Sequence, residues 1–148
     1  MRSRHHFPIS LAVGTALATV LQTPLSWPAL VAGAGLLGTA IDLDHFLLAR
    51  LRTGSWDHLR RCLADPRMAL LAQDEIFEEG DVGTLARLGT HFLITAGLVA
   101  VLAGLDRSLA VAAGAVLVVH IVSDVVWDLW QWRRHARMPY STRSEDSS

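Results

Sequence analysis

The chain has 148 residues, enough for one domain, and its single cysteine, Cys62, excludes an intramolecular disulfide and any Cys-rich metal site. Hydrophobic residues make up 51% and mean hydropathy is +0.34, yet 18% of the residues are charged, so charge and apolar surface must be segregated along the chain. A net charge of −1 gives no basis for a nucleic-acid surface. All thirteen basic residues are Arg, and Lys and Asn are absent, a pattern that reads as coding bias; without Asn there is no N-glycosylation acceptor.

Four apolar segments follow in chain order, over 9–22, 27–48, 91–105 and 109–130. A helix rises about 1.5 Å per residue, so a ~30 Å hydrocarbon layer needs about 20 residues. The second and fourth segments are long enough; the first and third need help from their flanks. Pro24 and Pro28 break the chain between the first pair, with Trp27 at the interface, and Leu105-Asp106-Arg107-Ser108 makes an equally short turn between the second pair. The expected fold is all-α: an integral-membrane four-helix bundle made of two transmembrane hairpins, with a partly helical cytoplasmic loop over 49–90.

A cleaved secretory signal over 1–22 is the rival for the first segment. Its basic start and apolar core fit, but Leu21-Gln22-Thr23-Pro24-Leu25 offers no small-x-small cleavage site and a second apolar span follows at once. In the loop, Asp65-Pro66 reads as an N-cap followed by Pro at the first helical position, opening a helix that ends at Gly80 and either lies on the membrane or caps the bundle. The polar, Ser-rich tail from Met138 is expected to be disordered.

Orientation follows from the arginines. With four spans and the N-terminus inside, every arginine except Arg107 falls on the inner side. This orientation puts both termini in the cytoplasm, with membrane lipids as the surroundings, and the expected location is a bacterial inner membrane.

Gly33-Ala34-Gly35-Leu36-Leu37-Gly38 spells the dinucleotide fingerprint, but that motif has meaning only between a strand and a helix. Inside an apolar span it reads as small-residue packing, and Ala96, Ala100 and Gly104 form a similar small face on the third span.

Ionisable residues inside the spans are the informative feature. Asp42, Asp44 and His45 lie in the second segment, His91 opens the third, and His120, Asp124 and Asp128 lie in the fourth. An Asp at mid-membrane costs about 2.5–3.5 kcal/mol on insertion scales, so such residues face a bundle interior and have partners. In the four-span topology all three segments deliver these groups to the same inner half of the membrane. His120 and Asp124 lie about 40° apart on one helix face, and Asp42 and His45 are also neighbours. Asp44 is about 160° from Asp42 in a regular helix, so both meet one site only where the helix frays or ends.

Mixed carboxylate and imidazole donors suit Zn²⁺, Mn²⁺, Fe²⁺ or Ni²⁺. In a hydrolytic site a spare carboxylate, Asp44 or Asp128, orients or deprotonates water. Structural pairing of the cluster, or a proton or ion path, are the competing readings. His5, His6 and His135 are read as solvated terminal residues, Asp57-His58 as loop surface, and Trp127, Trp130 and Trp132 as an interfacial aromatic belt.

Asp42-Leu43-Asp44-His45 ending an apolar helix, Thr90-His91 opening another and His120-Ile121-Val122-Ser123-Asp124 in a later one resemble the LexA-regulated, membrane-bound, metal-dependent hydrolase family. The resemblance covers the order of motifs from about Gly38 to Leu129. It implies a metal site formed by Asp42, Asp44, His45, His91, His120 and Asp124, and suggests hydrolysis. A site that opens at the lipid–water boundary points to an amphiphilic or lipid-linked ester or phosphoester as the substrate. Where the family reads His-Arg-Gly-x-Thr-His-Ser, this chain has Ala86 in place of the first His and Phe92 in place of the Ser. The alternative function is a non-catalytic membrane protein, a scaffold, accessory subunit or ion path, whose Asp/His cluster is structural.

Overall fold

The computed structural model describes residues 3–65 and 83–135, and every regular element among them is helical. Helix α1 is Ser3–Val20 and α2 is Trp27–Ala40. A 3-10 turn, Ile41–Leu43, leads into α3, Asp44–Thr53, and a short α4, Asp57–Ala64, follows. Two longer helices, α5 (Thr84–Leu105) and α6 (Arg107–His135), complete the described fold. The expected loop helix from Pro66 to Gly80 and the tail from Met138 lie outside the described residues.

Among the described residues, three helical stretches are long and apolar enough to cross a membrane. They are Trp27–Thr53, which takes in α2, the 3-10 turn and α3, then α5, then Arg107–Arg134, with mean hydropathy 1.3, 1.9 and 2.3. The third apolar segment is longer than its sequence suggested because the helix starts at Thr84, ahead of His91. Helix α1 is not among the three. It starts at Ser3 instead of residue 9, and its polar opening, with Arg4, His5 and His6, dilutes the apolar run. Hydroxyls within the apolar stretches bond back onto their own helices, as Thr39 Oγ does to the Gly35 carbonyl at 3.0 Å and Thr53 Oγ to that of Ala49 at 2.9 Å.

Local chemistry ends the helices where the sequence changes character. Pro28 sits in the first turn of α2, where a missing N–H costs nothing. Gly54 closes α3 with φ of 76°, a left-handed conformation that favours glycine, and its N–H bonds the Arg50 carbonyl at 3.0 Å. Between α5 and α6, Asp106 caps α6 by accepting the Leu109 N–H at 3.0 Å. The Ser108 hydroxyl also donates to that carboxyl, and together these bonds hold it below the usual carboxylate range.

Small residues set the helix packing. Helix α1 lies along α2, α5 lies along α6, and α6 also touches α1 and α2. The glycine-rich run in α2 is a packing surface: a Cβ at Gly35 would meet Leu11 at 2.8 Å, and one at Gly38 would meet Ser10 Oγ at 1.9 Å. The small face expected on α5 does not behave this way. Ala96, Ala100 and Gly104 are exposed, and α5 comes near α6 instead at Gly114, where an added Cβ would meet Val99 at 3.4 Å. Spacing of small residues marks a possible seam without saying which neighbour will use it.

The outer surface is apolar. Leu36, Leu51, Phe92, Leu93, Val101 and Leu105 are all more than three-fifths exposed. A soluble monomer rarely presents so much contiguous apolar surface, whereas a membrane span must.

Candidate metal centre

The polar residues of the apolar helices converge. Asp42, Asp44, His91, His120 and Asp124 are all buried, and His91, His120 and Asp124 are at most 1% exposed. The 3-10 turn at Ile41–Leu43 explains how Asp42 and Asp44 both turn inward: it changes the helical phase between them, while Leu43 points out at 61% exposure.

Four atoms form the middle of the cluster. Asp42 Oδ1 lies 3.3 Å from His120 Nε2 and 3.4 Å from His91 Nε2. Asp124 Oδ2 lies 3.7 Å from His120 Nε2 and 3.8 Å from His91 Nε2. Two ligands on one tetrahedral ion with bonds of about 2.0–2.1 Å stand roughly 3.3 Å apart, so these spacings are at or slightly wider than a ligand shell.

The far nitrogens of the two imidazoles decide what the near ones offer. His120 Nδ1 donates to the Gly38 carbonyl at 2.8 Å, and His91 Nδ1 donates to Asp44 Oδ2 at 2.9 Å. With Nδ1–H engaged, His120 turns the lone pair of Nε2 toward oxygens of Asp42 and Asp124, while His91 Nε2 makes a 3.4 Å hydrogen bond with Asp42 Oδ1. Acceptors facing acceptors in a buried site repel unless a cation stands among them. His120 Nε2 accordingly makes no hydrogen bond. A carboxylate or backbone carbonyl behind each imidazole is the usual outer support of a histidine ligand.

Among the described residues, two sets of donors could each hold a metal ion: His6, Asp42, His120 and Asp124 form one, and Asp42, His45 and His91 the other, with the ligand atoms of each within 4.8 Å of one another. A borderline divalent ion fits imidazole nitrogen and carboxylate oxygen in this mixture.

The six sequence-derived ligand candidates are therefore neighbours, in different positions. Asp42, His91, His120 and Asp124 supply the central atoms. His45 Nε2 stands 3.9 Å from Asp42 Oδ1 and its ring stacks on His91 with centroids 5.4 Å apart. Asp44 stands behind His91, where it also takes a hydrogen bond from the Thr90 hydroxyl. Asp128, the other candidate catalytic carboxylate, pairs with Arg87 Nη2 at 2.5 Å. Arg87 Nε lies 3.7 Å from Asp124 Oδ2, so one guanidinium spans both acids of α6.

His6 corrects the sequence reading. Its place near the terminus suggests a solvated side chain, but α1 begins at Ser3 and buries His6 to 1% exposure. Its Nε2 is 3.1 Å from Asp124 Oδ1, its Nδ1 is 3.3 Å from Ser123 Oγ, and its ring stacks on His120 at 3.8 Å. The signal was present: His6, Ser10 and Gly14 repeat every four residues, the interval that keeps one helix face toward a neighbour. His5 is half-buried beside Trp127, and the side chain of His135 lies outside the described residues. Asp57 is on the surface with Arg60, as expected, whereas His58 beside it is half-buried. Trp130 and Trp132 are exposed, with the Arg134 guanidinium 3.8 Å above the Trp130 ring, a suitable arrangement for a membrane–water boundary.

Two apolar hollows flank the helices. One, of about 190 Å³, lies between α2 and α6 away from the cluster, bounded by Leu25, Leu30, Leu37, Leu109 and Val116. The other is an open groove of about 430 Å³ between α1 and α6, lined by Ile9, Val122, Val126, Trp127 and Trp130, with Ser123 in its wall.

Comparison of the chain with protein families, curated proteins and solved structures finds no match.

Proposed function

We propose that the protein is a metal-dependent hydrolase of the bacterial inner membrane, crossing it four times with both termini in the cytoplasm. Its substrate is an amphiphilic or lipid-linked ester or phosphoester. The single observation that carries this is the pair of imidazoles whose Nε2 atoms face Asp42 and Asp124 while their Nδ1 atoms are tied to Gly38 and Asp44. A preformed ligand shell has this construction.

The fourth span is α1. Its buried His6 and Ser10 pack inside the helices that are apolar enough to cross, and the arginine distribution puts its start on the cytoplasmic side. The likeness to the LexA-regulated hydrolases rests on the sequence motifs, and the two positions that depart from them are exposed. Ala86 and Phe92 both point away from the cluster, so neither substitution removes a central donor.

His6, Asp42, His120 and Asp124, or Asp42, His45 and His91, would hold a metal ion, which we assign to Zn²⁺, Mn²⁺ or Fe²⁺. Such an ion lowers the pKa of bound water toward neutrality and polarises an ester or phosphoester oxygen. Asp44 fixes the His91 ring and Arg87 fixes the carboxylates of Asp124 and Asp128, so the donors stay aligned without reorganisation. Asp128 is half-buried at the edge of the cluster, where it can take a proton from incoming water. The lipid-facing groove reaches Ser123, which touches His6, and so gives an acyl chain a route beside the polar site.

The test is turnover in detergent or proteoliposomes against carboxylic ester and phosphoester lipids. Activity is expected that vanishes on chelation and returns with Zn²⁺, Mn²⁺ or Fe²⁺. Bound metal with no turnover across both lipid classes would leave the second reading, a structural centre in a non-catalytic protein.

A further inference from the structure

Resting on that metal-centre reading, we infer that the cluster holds two divalent cations, side by side, with the Asp42 carboxylate shared between them. The donors are too many and too spread for one ion. Six side chains, His6, Asp42, His45, His91, His120 and Asp124, offer ligand atoms, and they divide into two compact sets that have only Asp42 in common. A first-row ion in such surroundings takes four to six ligands, and the structural zinc arrangement takes four.

Each set has a buried atom in need of a positive partner, one within the first set and one beside the second. In the first it is His120 Nε2, which makes no hydrogen bond although it is enclosed by Asp42 and Asp124. Beside the second it is Asp44 Oδ1. The other oxygen of Asp44 takes the bonds from His91 Nδ1 and Thr90, while Oδ1 makes none and faces His45 Nε2 at 3.8 Å. Asp44 has a 5% exposed side chain, so water from outside does not satisfy that oxygen. The second cation therefore takes Asp42, His45 and His91 with Asp44 Oδ1 as a further donor. The first takes Asp42, His120 and Asp124, with His6 closing it from α1.

Charge then narrows the substrate. Asp42, Asp44 and Asp124 do not fully neutralise two dications, and Arg87 is already balanced by its pair with Asp128. The centre keeps a net positive charge, which favours an anionic phosphoester over a neutral carboxylic ester. Two adjacent ions suit such a substrate, since one can meet the attacking oxygen and the other the leaving oxygen.

The experiment is Mn²⁺ loading of the full-length protein in detergent, with bound metal measured after equilibrium dialysis and the spin state read by electron paramagnetic resonance. Wild type is expected to bind two equivalents and to give an exchange-coupled spectrum. His45→Ala is expected to keep one equivalent with an uncoupled spectrum, and Asp42→Ala to weaken both sites, with helicity checked by circular dichroism in each. Saturation of wild type at one uncoupled equivalent would overturn the two-ion centre and leave the single-metal reading standing. Failure to bind any ion would sink the metal centre itself. Inorganic phosphate should perturb the coupled spectrum, and indifference to it at millimolar levels would remove the phosphoester assignment.

Discussion

Asp124→Ala is expected to abolish tight metal binding and to cost about 3–5 kcal/mol of stability, the usual penalty for removing one partner of a buried ionic network. The carboxylate is 1% exposed and is met by groups from two other helices, α1 and α5. His6 Nε2 is at 3.1 Å, Arg87 Nε at 3.7 Å and His91 Nε2 at 3.8 Å, with His120 Nε2 from its own helix at 3.7 Å. Truncation leaves a guanidinium and His6 facing a void, with no water to compensate in an apolar span. Asp124→Asn keeps the volume and one acceptor oxygen. It should regain part of the stability but little of the metal affinity, which separates ligation from packing. Metal content and thermal unfolding in detergent check both variants; unchanged values for Asp124→Ala would place the carboxylate outside the network.

Gly38→Ala is the second large effect, although it touches no charge. A Cβ there would stand 1.9 Å from Ser10 Oγ and 2.6 Å from Ser10 Cβ. The hydroxyl can rotate away, but the Ser10 Cβ is fixed to its backbone, so α1 has to move. His6 lies one turn earlier on the same face, and the carbonyl of Gly38 itself anchors His120. Overpacking of this kind costs roughly 1–3 kcal/mol, and here it should also weaken metal binding. Gly33→Ala in the same helix is the control, because a Cβ there meets nothing within 4 Å. That change is expected to be neutral or to add up to about 1 kcal/mol through helix propensity. Ser10→Gly combined with Gly38→Ala should recover much of the loss. Similar behaviour of the two glycine variants, measured by thermal unfolding, would contradict the α1–α2 packing described above.

Much of the site is written in residue spacing, because charge in an apolar helix has few places to go. The neighbours Asp42 and His45, and His120 and Asp124, can be read from helical intervals alone, and the structure sets both pairs in one cluster. The phase problem between Asp42 and Asp44 was also visible, and its answer, a 3-10 turn, is local. What spacing could not give was long-range choice. Arg87 reaches Asp128 across 41 residues of sequence, and nothing in either segment says that this carboxylate will be paired. His6 was hidden for a different reason: composition near a terminus suggests solvent, and only the continuation of α1 back to Ser3 carries it inside. On α5, small residues at helical intervals suggested a seam, yet no described helix lies against them, because geometry of one helix does not specify the position of another.

Elemental analysis of the detergent-purified wild-type protein, beside His120→Ala, is the most direct test that the buried acids and imidazoles are a ligand shell. At least one tightly held equivalent of Zn, Mn or Fe is expected in wild type and is expected to be lost from the variant. A wild-type protein that carries no metal after purification and takes none up on reconstitution, with His120→Ala merely less stable, would mean that protons and not ions hold the cluster together.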